Sequence, residues 1–76
     1  MPTIVFDRNH GTKSHESITR FEIEAEDYSE AVNIIQQDVL TQHPGAEITV
    51  GKDRLYISWT SKDEDYFDHY FQTNLI

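Results

Sequence analysis

The sequence predicts an α+β domain: a four-stranded antiparallel sheet in the order β-β-α-β-β, completed by a C-terminal helix. Three observations carry that expectation. Apolar and polar residues alternate with period two in Arg20–Glu26 and again in Ala46–Thr60, as in half-buried strands. Between them an amphipathic stretch opens on a capping residue, Asp27. The chain has only 76 residues, so it forms a single domain, residues 1–76, with a modest core.

The elements follow in order. Ile4-Val5-Phe6 is a short β-rich run, and Asp7 to Ser14 is polar with a turn-forming Asn9 and Gly11. This predicts a hairpin of residues about 3–8 and 16–26 joined by a mobile loop. Phe21, Ile23 and Ala25 share one parity of its second strand, and Arg20, Glu22, Glu24 and Glu26 share the other. The helix begins after Asp27, with Glu30 at capping-box spacing. Tyr28, Ala31, Val32, Ile35 and Val39 line one face, Ile34 and Leu40 widen the stripe, and His43-Pro44-Gly45 ends it. Ala46, Ile48 and Val50, then Leu55, Ile57 and Trp59, form a tight hairpin turned by Gly51-Lys52-Asp53-Arg54. In the tail, Ser61 and Glu64 repeat the capping spacing. Tyr66, Phe67, Tyr70, Phe71 and Asn74 fall on one helical side, with Glu64, Asp65, Asp68 and Gln72 opposite.

Composition narrows the function. Fourteen acids against six bases give a net charge of −8. That charge repels a phosphate backbone, so no direct nucleic-acid contact is expected, and it disfavours anionic membrane surfaces. No apolar run approaches the roughly 18–20 residues of a membrane span. The opening MPTIVFDRNH lacks the layout of a signal peptide, which with the absence of cysteine leads to the expectation of a cytoplasmic setting. Hydrophobic content is 37%, but one Trp, four Tyr and four Phe supply large buried areas. Without cysteine, neither disulfides nor thiolate zinc sites are available.

Two acidic groups are candidate partner-binding surfaces. Glu22, Glu24 and Glu26 project from one side of a strand at intervals of about 6.6–6.8 Å, close to two axial steps of a DNA strand at ~3.4 Å each. Such a row imitates a phosphate track; the plain alternative is the polar face of a one-sided sheet. Asp63, Glu64, Asp65 and Asp68 form the second group, and the dipole at a helix start is itself a sufficient reason for them. Tyr66 and Tyr70 belong to an aromatic stripe that either packs on the domain or docks a partner. His10 and His15, with Asp7, match no compact metal signature. His43 suits a helix C-terminus, and His69 stands four residues from Asp65. There is no nucleophile elbow, and Gly11, Gly45 and Gly51 are too scattered for a phosphate loop. No enzymatic activity, metal or cofactor is expected.

The segment Thr19-Arg20-Phe21-Glu22-Ile23-Glu24-Ala25-Glu26, the capped helix from Asp27 and the hairpin from Ile48 to Trp59 give residues 19–60 a layout that resembles the small acidic anti-CRISPR and anti-defence proteins of bacteriophages. The likeness is one of layout, size and charge, without a signature motif, so no site residue is transferred. It implies a stoichiometric inhibitor in the host cytoplasm that binds an effector complex and blocks its nucleic-acid channel or its recruitment of a nuclease. The expected function is therefore a non-enzymatic, protein-binding inhibitor whose acidic surface docks on a basic nucleic-acid-binding protein. The alternative is a small assembly module, a homodimer or a complex subunit, acting through the aromatic C-terminal helix.

Overall fold

The structure is a computed structural model that describes residues 2–73. It consists of β1 (Thr3–Thr12), β2 (Glu16–Glu24), α1 (Tyr28–Gln42), β3 (Glu47–Val50), β4 (Arg54–Ser61) and β5 (Glu64–Gln72). The strands form one sheet in the order β2-β1-β5-β4-β3, and every neighbouring pair is antiparallel. The expectation of four strands and a C-terminal helix is overturned: the sheet has five strands, and the helix lies mid-chain. Asn74, assigned to the terminal helix, lies outside the described residues.

The tail is a strand for reasons visible in its residues. Lys62 and Asp63 both have positive φ, 52° and 63°, and Ser61 pairs with Glu64. That is a two-residue hairpin turn with the twist of a type I′ turn. The Ser61/Glu64 spacing, which also fits a capping box, is here the closing pair of this turn. Beyond it, Tyr66, Asp68 and Tyr70 point to one face and Phe67, His69 and Phe71 to the other. Because β5 is the central strand, both faces are at least partly buried. Aromatics on both parities therefore hide the alternation that marks an edge strand.

β1 is also longer than expected. Residues 9–12, expected in the mobile loop, are strand instead: Asn9, His10 and Gly11 pair with β2 on one side and β5 on the other, and Thr12 pairs with Tyr66 of β5. The turn contracts to residues 13–15, where Thr12 Oγ1 accepts from the amides of Ser14 and His15, both at 3.3 Å. Gly11 has φ +138°, and a Cβ there would collide with the His15 carbonyl, so only glycine suits this position.

The helix matches its sequence signals. Asp27 accepts from the Glu30 amide at 2.9 Å. Glu30 Oε1 accepts in turn from the Glu26 amide at 3.0 Å, one residue before the cap. Ala31, Val32, Ile35 and Val39 are buried against Ile4, Phe6, Leu55, Ile57 and Tyr70 on one face of the sheet. Phe6, Leu55 and Ile57 are completely enclosed. The Tyr28 hydroxyl lies 2.9 Å and 2.7 Å from the carbonyls of Gly51 and Arg54, tying the start of α1 to the β3–β4 turn. Fifteen helical residues span about 22 Å, whereas the ten residues of β1 span about 33 Å. The sheet therefore outruns its helix, in a molecule of 39 × 22 × 18 Å.

Candidate functional site

Among the described residues there is one helix, and it covers one face of the sheet. Register assigns the residues of the other. Phe67, His69 and Phe71 of β5 stand opposite Gly11, Asn9 and Asp7 of β1, and opposite Ser58, Tyr56 and Arg54 of β4. The result is a continuous aromatic row. Tyr56 meets His69 edge to face at 4.7 Å and Phe71 at 6.0 Å, while Phe67 lies 5.0 Å from His69. The Arg54 guanidinium sits 5.7 Å from the Phe71 ring centre, a cation–π distance. These rings are half-buried, and none belongs to the helix-side core.

The same parity places Glu16, Glu22 and Glu24 of β2, Asp7 of β1, Asp65 of β5 and Glu47 of β3 on this open face, against only Arg20 and Arg54. Ile18, 74% exposed, sits among them on β2. His69 is held below the ordinary imidazole value, chiefly because burial disfavours its charged form and despite the charge of Asp68. It adds no resident positive charge near neutrality. Asn9 Oδ1 is buried beside His69 and has no hydrogen-bond partner.

The expected acidic groups are redistributed. Glu22 and Glu24 are exposed on the open face of β2, but Glu26 lies beyond the strand, its amide engaged by Glu30. Asp63, Glu64, Asp65 and Asp68 do not share a helix face. Asp63 is in the β4–β5 turn, Glu64 and Asp65 point to opposite faces, and Asp65 accepts from the Thr60 hydroxyl at 2.7 Å. Asp68 is 3% exposed and Tyr70 4%, so neither presents a surface to a partner. Tyr66 faces the helix side, parallel to Trp59 at 5.7 Å. Asp65 and His69 are not neighbours either, since four residues along a strand separate them by about 13 Å.

Asp68 has a structural role. It receives Arg8 Nε at 2.8 Å and Nη2 at 3.0 Å, a bidentate pair, and accepts from the Tyr70 hydroxyl at 3.2 Å. The hydrogen bond from Asp68 raises the Arg8 pKa. Burial, with the Asp68 charge beside it, raises that of Tyr70 well above the ordinary phenol. The pair floors a cleft of about 490 Å³ beneath the C-terminal half of α1, beside Ile34, Asp38 and Trp59. His43 stacks on Trp59 at 4.2 Å and closes one end. Neither a nucleophile–base pair nor a free cation lines it, because Arg8 is already neutralised by Asp68.

Among the described residues no three His, Cys, Asp or Glu side chains converge as metal ligands, and no helix is long and apolar enough to cross a membrane. The row of Phe67, His69, Phe71 and Tyr56 does not emerge from the sequence as such: the expected helix groups Phe67 and Phe71 with Tyr66 and Tyr70 on one side, and strand parity separates the two pairs. Its signal is the period-two spacing of 67, 69 and 71, legible once Lys62-Asp63 is taken as a turn. Comparison of the chain with protein-family models, curated proteins and solved structures finds no match, so geometry and charge alone carry the functional reading.

Proposed function

We propose that the chain is a non-enzymatic protein-binding module whose uncovered sheet face docks on a basic protein, of the kind that itself binds nucleic acid, and thereby inhibits it. The observation that carries this reading is an uncovered aromatic row bordered by six acids and two bases. Aromatic side chains supply contact area at low entropic cost. The acids steer a basic partner into place and make association salt-dependent. The same acids repel a phosphate backbone, which favours a protein over a nucleic acid stacked on the rings. A second copy of the chain is disfavoured as occupant, because it brings two charges of −8 together.

The test is affinity capture from a lysate of the source organism at low and high salt, with the native chain, with Glu22→Lys/Glu24→Lys and with Phe67→Ala/Phe71→Ala. The expected outcome is a basic, nucleic-acid-binding protein that is retained at low salt, released at high salt and lost from both double variants. Retention by the charge-reversed variant overturns the reading.

A further inference from the structure

The two edges of the sheet are managed differently. β3 is only four residues long, which blunts that edge by shortness. β2 has nine residues, borders β1 on one side and, among the described residues, borders no strand on the other. Nothing within it guards the free side by backbone: it contains no proline and no positive-φ residue.

The ladder shows which groups face outward. Ala25 donates to the Pro2 carbonyl and Thr12 donates to the His15 carbonyl. Both contacts are in register with Ile4↔Ile23, Phe6↔Phe21, Arg8↔Thr19 and His10↔Ser17. In an antiparallel pair, hydrogen-bonded and non-hydrogen-bonded positions alternate. The odd residues of β2 therefore direct their amides and carbonyls at β1. Glu16, Ile18, Arg20, Glu22 and Glu24 direct theirs away from the sheet. The side chains of these five residues also share the open face, three of them acidic and one basic.

From this geometry we infer that the β2 edge is an acceptor for strand addition, and that its occupant is an extended segment of a partner protein in which basic residues alternate with apolar ones. This rests on the protein-binding reading above and specifies its mode. Main-chain hydrogen bonds give such complexes affinity, and alternate side chains give them specificity. Basic residues opposite Glu22 and Glu24 neutralise a pair of like charges. Apolar residues on the other parity extend the half-buried Phe21 and Ile23 surface. The carboxylates also discriminate against wrong partners, since an acidic or neutral strand leaves them unpaired. A second copy of β2 brings the same glutamates into the new pair, so charge complementarity selects a foreign strand.

The experiment uses the full chain, isotopically labelled for amide NMR, and a nine-residue peptide of alternating Lys and Val that matches the length of β2. A fully N-methylated peptide of the same charge serves as a control without N–H donors. In the free protein the amides of Glu16, Ile18, Arg20, Glu22 and Glu24 exchange rapidly with solvent, while those of Ser17, Thr19, Phe21 and Ile23 are protected. The expected result is that the Lys/Val peptide protects the five outward amides and the N-methylated peptide does not. Ile18→Pro, which deletes one outward donor and leaves the β1 ladder intact, weakens binding by about tenfold or more, whereas Ile18→Ala retains it. Equal binding of both peptides, or equal binding to the Pro and Ala variants, overturns strand addition and leaves acidic-face docking standing. Failure of the Lys/Val peptide to bind overturns the inference outright. Protection of the same amides in the free protein, rising with its concentration, also overturns it and assigns the edge to a second copy. Undiminished peptide binding by Glu22→Lys/Glu24→Lys counts instead against the acidic reading itself.

Discussion

Arg8 shows how a polar residue enters this core. Its side chain is 34% exposed, but the Asp68 side chain that it grips is 4% exposed. Removing the cation strands a buried anion, which costs roughly 3–5 kcal/mol when both partners are enclosed. The exposure of Arg8 puts this pair at the lower end. Arg8→Met is expected to lose about 3 kcal/mol in denaturant unfolding, while the double change Arg8→Met/Asp68→Leu recovers most of that loss. His69 supplies a pH signature. Because burial holds its folded-state pKa below that of the unfolded chain, the unfolded state takes up the proton first as pH falls. This contribution is complete above about pH 6.5 and declines below it. Thermal unfolding at about pH 7 and pH 5.5 therefore shows a loss on acidification that His69→Asn reduces.

Among the elements, α1 was the most legible because cap, stripe and stop all agree: Asp27, the Ala31–Val39 face, and His43-Pro44. The β3–β4 hairpin was legible because its strands alternate cleanly, with Leu55 and Ile57 inward. β5 was not, since a strand with neighbours on both edges and aromatics on both faces loses the polar contrast that reveals parity. β1 beyond Arg8 was hidden by its polarity, and Arg8 itself is drawn toward the core by its ion pair with Asp68, a residue 60 positions away. The candidate site was legible in part. Glu22 and Glu24 stand on one exposed face as the alternation implies, whereas a helical periodicity sets Asp68 opposite Tyr70, two residues that the strand brings to the same buried side. The β4–β5 turn gives the element-scale test. Lys62 and Asp63 occupy positive φ, which side chains other than those of Gly, Asn and Asp resist. Lys62→Asn/Asp63→Gly is expected to raise stability by about 1 kcal/mol, read as a higher denaturant midpoint with an unchanged slope.

At the scale of the whole molecule, the charge of −8 is only locally compensated. Ion pairs join Arg8 to Asp68 and Arg54 to Asp53, and Asp53–Arg54 is solvent-exposed. The remaining acids repel one another across a small body, which destabilises the compact state. Raising ionic strength from about 0.01 M to 0.15 M shortens the screening length from about 30 Å to 8 Å. The melting temperature is therefore expected to rise over that range, opposite to the salt response of partner binding. A melting temperature that falls with salt contradicts the uncompensated distribution.

The adjacency of β1 and β5 has a further consequence, for the order of biosynthesis. The sheet consists of an N-terminal hairpin and a three-stranded C-terminal portion, and the β1–β5 seam between them joins residues as distant in sequence as Phe6 and Gln72. Closing so remote a contact is entropically slow. The hairpin of β1 and β2 can form as soon as it leaves the ribosome, but it then exposes the β1 edge as well as the β2 edge. Only when Gln72 has emerged can β5 cover the first and leave the second, so the nascent chain depends on late-synthesised residues to acquire its single long free edge.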